Sequence, residues 1–150
     1  MQTILQHHEI AGALIARLFL GLLFFFQGYD AVFRIKIPGV IQAVDEPMAA
    51  IGVPRFFIVG GAYFTSYTEL ICGSLLIIGF AKYYAMYLLG LDLIIASIAF
   101  GIIKPMWDLQ YAFPRLLLLL LLLMIPSQWD VISVDFLWSA IKFIKSITPQ

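Results

Sequence analysis

Residues 11–33 read AGALIARLFLGLLFFFQGYDAVF, a nearly continuous apolar run that holds one cation, Arg17, and one anion, Asp30. A helix crosses a bilayer with about 17–25 mostly apolar residues, so this run predicts a membrane-spanning helix. Three further apolar segments follow at residues 56–80, 83–103 and 112–126. The sequence therefore predicts an all-α fold, a bundle of four transmembrane helices.

The composition supports this assignment for the whole chain, residues 1–150. Hydrophobic residues make up 63% of the sequence and charged residues 12%, against about 45–50% and about 25% in soluble domains. A domain this small cannot bury so much apolar surface in one core, so lipid must cover the rest. A cleaved signal peptide is disfavoured, because no basic region precedes the first segment and Arg17 lies within it. We expect one multi-pass membrane domain.

The connections between the four segments differ in length. Residues 34–55 form the longest one, which contains three prolines and two glycines and is expected to break into short pieces, with a short helix at the membrane interface. The link at residues 81–82 predicts a tight antiparallel hairpin, and the third link contains residues 104–108. After Asp130, one helical face carries only apolar side chains, which predicts an amphipathic helix on the membrane surface. Those side chains are Phe136, Leu137, Ala140, Ile141 and Ile144.

The charges and the metal-ligating residues exclude several functions. Nine basic and nine acidic residues give no net charge, so a nucleic-acid partner is not expected. The cations are divided almost equally between the two sides of the predicted bundle, so the positive-inside rule gives no orientation. The only histidines, His7 and His8, precede the first segment, and Cys72 is the only cysteine. No metal site and no cofactor held by His or Cys is expected, and a redox role would need a partner's cofactor or a bound quinone.

Four ionisable residues lie within the predicted spans, one in each: Arg17, Glu69, Asp92 and Arg115. At 1.5 Å per residue, all four lie roughly 9–16 Å from the same side of the membrane. Because a charge inside the bilayer is costly, we expect them to meet in one neutral cluster. Two readings stay open. One is an ion-pair network that fixes the packing of the helices, and the other is a polar pocket for a proton, a quinone headgroup or a small anion.

Other polar residues extend this candidate site. The hydroxyl run at residues 65–68 precedes Glu69, and we include Tyr67 and Thr68 from it. Gln27 and Asp30 lie toward the other end of the first span, and Asp30 is four residues before Arg34, the spacing of an ion pair along a helix. Small residues let membrane helices approach closely, and they recur in the first two spans. They are Gly21, Gly28, Gly73 and Gly79.

The order of these motifs resembles the DoxX family of small bacterial membrane proteins with four helices. The matching stretches are RLFLG at residues 17–21, QGYD at 27–30, GVP at 52–54, ELICGSLLIIG at 69–79 and SVD at 133–135. Many members carry a lysine three residues after the glycine of the first helix, and here that position is Ala31. If this lysine binds a ligand in other members, that ligand is in doubt for this chain.

The resemblance implies an inner-membrane protein, and some relatives are described as subunits of thiosulfate:quinone oxidoreductases or as partners of thiol-redox systems. It supports Arg17 and Glu69 as matched positions, whereas Asp92 and Arg115 depend on the depth estimate alone. The first expectation is therefore an accessory or quinone-interacting subunit of a membrane redox system. The alternatives are a structural partner in a larger membrane complex or a homo-oligomer, and a small proton-coupled transporter. Whether the protein is itself an enzyme stays open.

Overall fold

A computed structural model describes residues 2–103 and 109–147, and all regular structure in them is helical. There are six α-helices in this part of the chain, together with a π-helical turn at Asp30–Arg34 and a 3-10 turn at Ser127–Trp129. The α-helices are α1 (Gln2–Tyr29), α2 (Lys36–Ala50), α3 (Arg55–Ile78), α4 (Lys82–Ile103), α5 (Leu109–Met124) and α6 (Val134–Ile147).

Three of these helices are long and apolar enough to cross a membrane. They correspond to α1 with its π-helical turn, α3 and α4, and they confirm three of the four predicted spans. The fourth predicted span, 112–126, corresponds to α5, which has 16 residues and is shorter than the other three. The predicted third connection, residues 104–108, lies outside the described residues.

The connection between α1 and α3 differs from its prediction, because most of it forms α2, one helix of 15 residues. Pro38 lies in the first turn of α2, where a missing N–H removes no helical hydrogen bond, and Pro47 lies in the last turn. The prolines therefore do not divide the segment. The predicted pair of Asp30 and Arg34 is confirmed, with 2.9 Å between Oδ1 and Nη1 in the π-helical turn.

The hairpin between α3 and α4 forms as predicted, and Gly79 ends α3. Its φ of 74° is in the left-handed region, which a residue without Cβ adopts at little cost. Its N–H donates to the carbonyls of Leu75 and Leu76, and the N–H of Phe80 also donates to Leu75. This pattern satisfies the last carbonyls of the helix and turns the chain directly into α4.

Close contact between α1 and α3 forms the main helix pair of the bundle. A Cβ built on Gly28 would lie 2.3 Å from the backbone nitrogen of Leu70, and one on Gly73 would lie 2.5 Å from that of Phe25. The small residues predicted at helix contacts therefore bring the two backbones together. Helix α3 packs on α4, α4 on α5, and α5 returns to α1, so the four helices surround a shared core that includes Leu20, Phe24, Leu76, Leu89 and Leu119.

Candidate functional site

A cavity of about 1210 Å³ lies among the first five helices. Its walls are mostly aliphatic and aromatic, with side chains from α1, α2, α3 and α4. The apolar character is typical of sites for small apolar molecules, and the volume is somewhat above the usual range of about 300–1,000 Å³. A few polar or charged side chains also line the cavity: Gln27, Asp30, Thr65, Ser66, Glu69 and Arg115.

Helix α3 supplies the acidic part of this lining. Ser66 and Glu69 are three residues apart, and both belong to the buried face of α3 that also carries Ala62 and Cys72. Ser66 is 1% exposed, and its Oγ has no hydrogen-bond partner in residues 2–103 and 109–147. Glu69 is also buried, and no described residue donates a hydrogen bond to it.

Asp92 lies behind Glu69, on the face of α4 that carries Leu89 and Ala85. It is fully buried, and neither of its carboxylate oxygens has a hydrogen-bond partner among the residues that the structure describes. It is close enough to Glu69 and Arg115 to interact with both electrostatically, although it does not line the cavity. Uncompensated polar atoms at this depth are costly, so their persistence marks this region as a candidate site.

Arg115 provides the positive charge of the site from α5. Its Cζ lies 6.0 Å from the centre of the Phe24 ring, a contact that a guanidinium makes favourably with an aromatic face. Within the described part of the chain, none of its nitrogens lies within 4.0 Å of a carboxylate oxygen. Glu69 and Asp92 are buried and Arg115 is partly exposed; the three, called here the buried trio after the two acids, are therefore neighbours that form no direct ion pair within the described residues.

Arg17 is not a member of this cluster, which corrects the expectation of four charges at one level. Its guanidinium donates to the carbonyls of Leu76 and Ile77 at the end of α3, at 2.6 and 3.1 Å, and to Ile132 at 2.5 Å. Leu76 is seven residues beyond Glu69, which corresponds to about 10 Å along the helix. The long side chain reaches toward the helix end, where free carbonyls attract a cation.

At that end Arg17 meets Asp130, a residue outside the predicted spans. Arg17 Nε lies 3.2 Å from Asp130 Oδ1, and Lys82 Nζ lies 2.8 Å from Asp130 Oδ2. All three side chains are at most 10% exposed. The interpretation as an ion-pair network that fixes the packing of the helices therefore fits this second cluster better than it fits the buried trio.

Asp135 also belongs to the second cluster, and it caps the start of α4 although it lies far from α4 in the sequence. Its carboxylate accepts hydrogen bonds from the N–H groups of Ala81 and Lys82, at 2.9 and 3.0 Å. Its own N–H donates to the carbonyl of Gly79 at 3.0 Å. We call Arg17, Lys82, Asp130 and Asp135 the end clamp, because they tie α1, α3 and α4 to the segment that precedes α6 and to the first turn of α6.

The other predicted polar residues divide between the cavity and the outer surface. Gln27 and Asp30 line the cavity, as do Thr65 and Ser66 from the hydroxyl run. Tyr67 is 43% exposed and its ring stacks on Tyr63, while Thr68 is not part of the lining. Helical spacing distinguishes Ser66 from Tyr67 and Thr68, since Ser66 is one helical turn before Glu69 and lies on the same face of α3.

Metal binding has no support among the residues that the structure describes, since they contain no group of three or more His, Cys, Asp or Glu side chains that could hold an ion. Cys72 is a buried free thiol. The chemistry available in the cavity is therefore hydrogen bonding and charge, with Arg115 as a donor and the Ser66 and Gln27 oxygens without partners.

Comparison with known proteins assigns the chain to a family. Neither the curated proteins nor the solved structures give a match. The family model named DoxX matches residues 12–102, more than half of the chain. The matched region contains Arg17, Glu69 and Asp92, whereas Arg115 and Asp130 lie beyond it. The chain is therefore a membrane protein that belongs to the DoxX family.

Proposed function

We propose that this protein binds a lipid-soluble quinone in the cavity beside the buried trio and acts as an accessory subunit of a redox system in the inner membrane. The observation that carries the proposal is the composition of the cavity. Most of its wall is apolar, and the wall also contains the Gln27 and Ser66 oxygens, which have no hydrogen-bond partner among the described residues. A quinone has the matching shape, an apolar tail and a small polar headgroup.

Arg115 is the residue that we expect to hold the headgroup. A quinone carbonyl accepts hydrogen bonds, and the guanidinium offers five N–H donors that no carboxylate in the described residues engages. The tail then lies along the apolar side chains of α2 and α4. Because the sequence has one cysteine and no histidine within its spans, the electrons come from a partner protein in this proposal.

We also propose that α5 is the fourth membrane-spanning helix. Its 16 residues rise about 24 Å, close to the roughly 30 Å thickness of the hydrocarbon core. The chain reaches Asp130 soon after α5, and Asp130 pairs with residues of α1 and α4 at one end of the bundle. Helix α6 begins at this end with exposed apolar side chains, among them Leu137 and Phe143, and we place it on the membrane surface.

The test is binding of a short-chain benzoquinone to the purified protein in detergent, measured by calorimetry. Gly61→Phe fills the cavity, since Gly61 lines it and a Cβ there meets no atom within 4 Å. Gly12→Phe is the matched control, because Gly12 has equal space but lies outside the cavity lining. We expect saturable binding to the parent and to Gly12→Phe, and none to Gly61→Phe.

A second variant addresses the headgroup. Arg115→Met keeps an unbranched apolar stem and removes every donor, so the dissociation constant should rise about tenfold or more, as for the loss of one hydrogen bond to a charged group. A folded parent that binds no quinone would refute the proposal. Equal binding by Gly61→Phe would place any bound quinone elsewhere.

A further inference from the structure

The charges of the buried trio do not balance. Glu69 and Asp92 are two acids, and Arg115 is the one cation close enough to interact with them among the described residues. With both acids ionised, the group would carry a net negative charge inside the hydrocarbon. Such a charge is costly at this depth, and a bound proton removes it.

The environment of Asp92 also favours a proton bound at this site. Asp92 is fully buried, and both of its oxygens lack a donor in the described part of the chain. An ionised carboxylate normally accepts several hydrogen bonds, so this one is poorly solvated as an anion. One turn before Glu69, the Ser66 hydroxyl is equally buried and equally without a partner, which gives the site an additional polar group that a proton or a ligand can engage.

We propose that Glu69 and Asp92 hold one proton between them. Two neighbouring acids that share a site in a medium of low dielectric constant do not both ionise, and a single shared proton leaves one negative charge, which Arg115 balances. The groups that face the pair are Arg115 from α5, Cys72 from α3, and Asp30 from the π-helical turn at the far side of the cavity.

This proton gives the cavity a hydrogen-bond donor that the ionised acids lack. Of the two acids only Glu69 lines the cavity, so its O–H can donate to an oxygen of a bound headgroup while Asp92 carries the negative charge. Donation to a headgroup depends on the proposed quinone binding, whereas the shared proton does not.

Infrared spectroscopy of the purified protein without ligand tests the proton directly. A protonated carboxylic acid has a C=O stretching band that is separate from carboxylate and amide bands and shifts in D₂O. We expect this band in the parent at neutral pH. Glu69→Gln and Asp92→Asn should each abolish it, because the remaining acid then balances Arg115 as an anion. Glu46→Gln, which changes an exposed carboxylate on α2, should leave the band unchanged.

Several outcomes would overturn the shared proton. A parent without the band has both acids ionised or neutralised by a metal cation, and a band that survives either single substitution belongs to one acid alone. If a variant does not fold, the parent can still be labelled with a lipid-soluble carbodiimide, which reacts with protonated carboxyl groups. Mass spectrometry should find the label at Glu69, and a label restricted to exposed acids such as Glu46 would contradict the proposal.

Addition of a short-chain benzoquinone to the same sample separates the two proposals. If Glu69 donates to the headgroup, binding lowers the frequency of the carboxylic acid band. Saturable binding that leaves the band in place would refute the donation while leaving the quinone site intact. A band in the parent without any quinone binding would refute the proposed function and leave the shared proton standing.

Discussion

Removal of the Asp130 carboxylate should strongly destabilise the protein. Asp130→Asn keeps the shape of the side chain but leaves Arg17 and Lys82 buried without their counter-charge. The loss of one partner from a buried pair typically costs about 3–5 kcal/mol. Arg17 keeps three hydrogen bonds to backbone carbonyls, and the amide that replaces the carboxylate still has one oxygen that accepts from Lys82, so the substitution removes the counter-charge rather than every acceptor. We therefore expect the lower end of that range, about 3 kcal/mol.

The chain supplies a matched control for this substitution. Asp30 pairs with Arg34 at 2.9 Å, nearly the distance of Asp130 to Lys82, but the two side chains are 46% and 72% exposed. Pairs of this kind contribute about 0.3–0.5 kcal/mol, so Asp30→Asn should be nearly neutral. Lys82→Met should cost less than Asp130→Asn, because Arg17 and Asp130 still balance each other.

The assay is reversible unfolding by sodium dodecyl sulfate in mixed micelles, followed by circular dichroism. At about 3 kcal/mol, the ratio of folded to unfolded protein falls by more than a hundredfold. The reasoning fails if Asp130→Asn unfolds within about 1 kcal/mol of the parent, below the cost of a broken buried pair. It also fails if Asp30→Asn costs as much, since burial would then not be the source of the effect.

Three further substitutions test the contacts between elements by the same unfolding assay. Gly28→Ala places a Cβ 2.3 Å from the backbone of α3 and should lower the free energy of unfolding by about 1–3 kcal/mol or more. Gly12→Ala is the control on the same helix, since its Cβ meets no atom within 4 Å and should leave the stability unchanged. Equal effects of the two substitutions would contradict close packing of α1 on α3. Gly79→Ala and Gly52→Ala both place a side chain at a φ near 80°, and each should lower the free energy of unfolding by about 1–2 kcal/mol. Gly79→Ala should cost more than Gly52→Ala, because Arg17 lies 2.5 Å from the new Cβ whereas Gly52 has open space around it. Asp135→Ala removes the acceptor of two N–H groups at the start of α4 and should cost about 1–2 kcal/mol; no change would show that this cap does not stabilise the helix.

Hydropathy predicted the three long apolar helices, because the length of an apolar run relates directly to the thickness of a membrane. It predicted only a short helix where the 15 residues of α2 lie, since prolines and glycines indicate breaks unless their position within a helix is known. Pro38 falls in the first turn, where it is tolerated, and this position depends on where α2 starts. The sequence contains no strong signal for that start, because the backbone turns into α2 at Lys36 with a positive φ.

The candidate site was predictable in part. Depth along the helix axis places Glu69, Asp92 and Arg115 together, since each of them lies within a predicted span. It fails for Arg17, because a depth counted from Cα ignores the length of the arginine side chain. Asp130 was missed for a different reason: it follows the last predicted span, and its approach to Arg17 depends on how the chain turns after α5.

The end clamp and the buried trio differ in how their charged groups are paired. In the end clamp, Arg17 and Lys82 both form ion pairs with Asp130, and carbonyls or N–H groups bond to the Nη atoms of Arg17 and to Asp135, although Arg17 Nε and Asp130 Oδ1 make no hydrogen bond within the described residues. In the buried trio, Asp92 has no hydrogen-bond donor in the described residues. A cluster that only stabilises the fold gains nothing from polar atoms left without partners, which cost free energy when buried. These atoms without partners are the reason that we propose the trio as the place where a proton and a ligand bind.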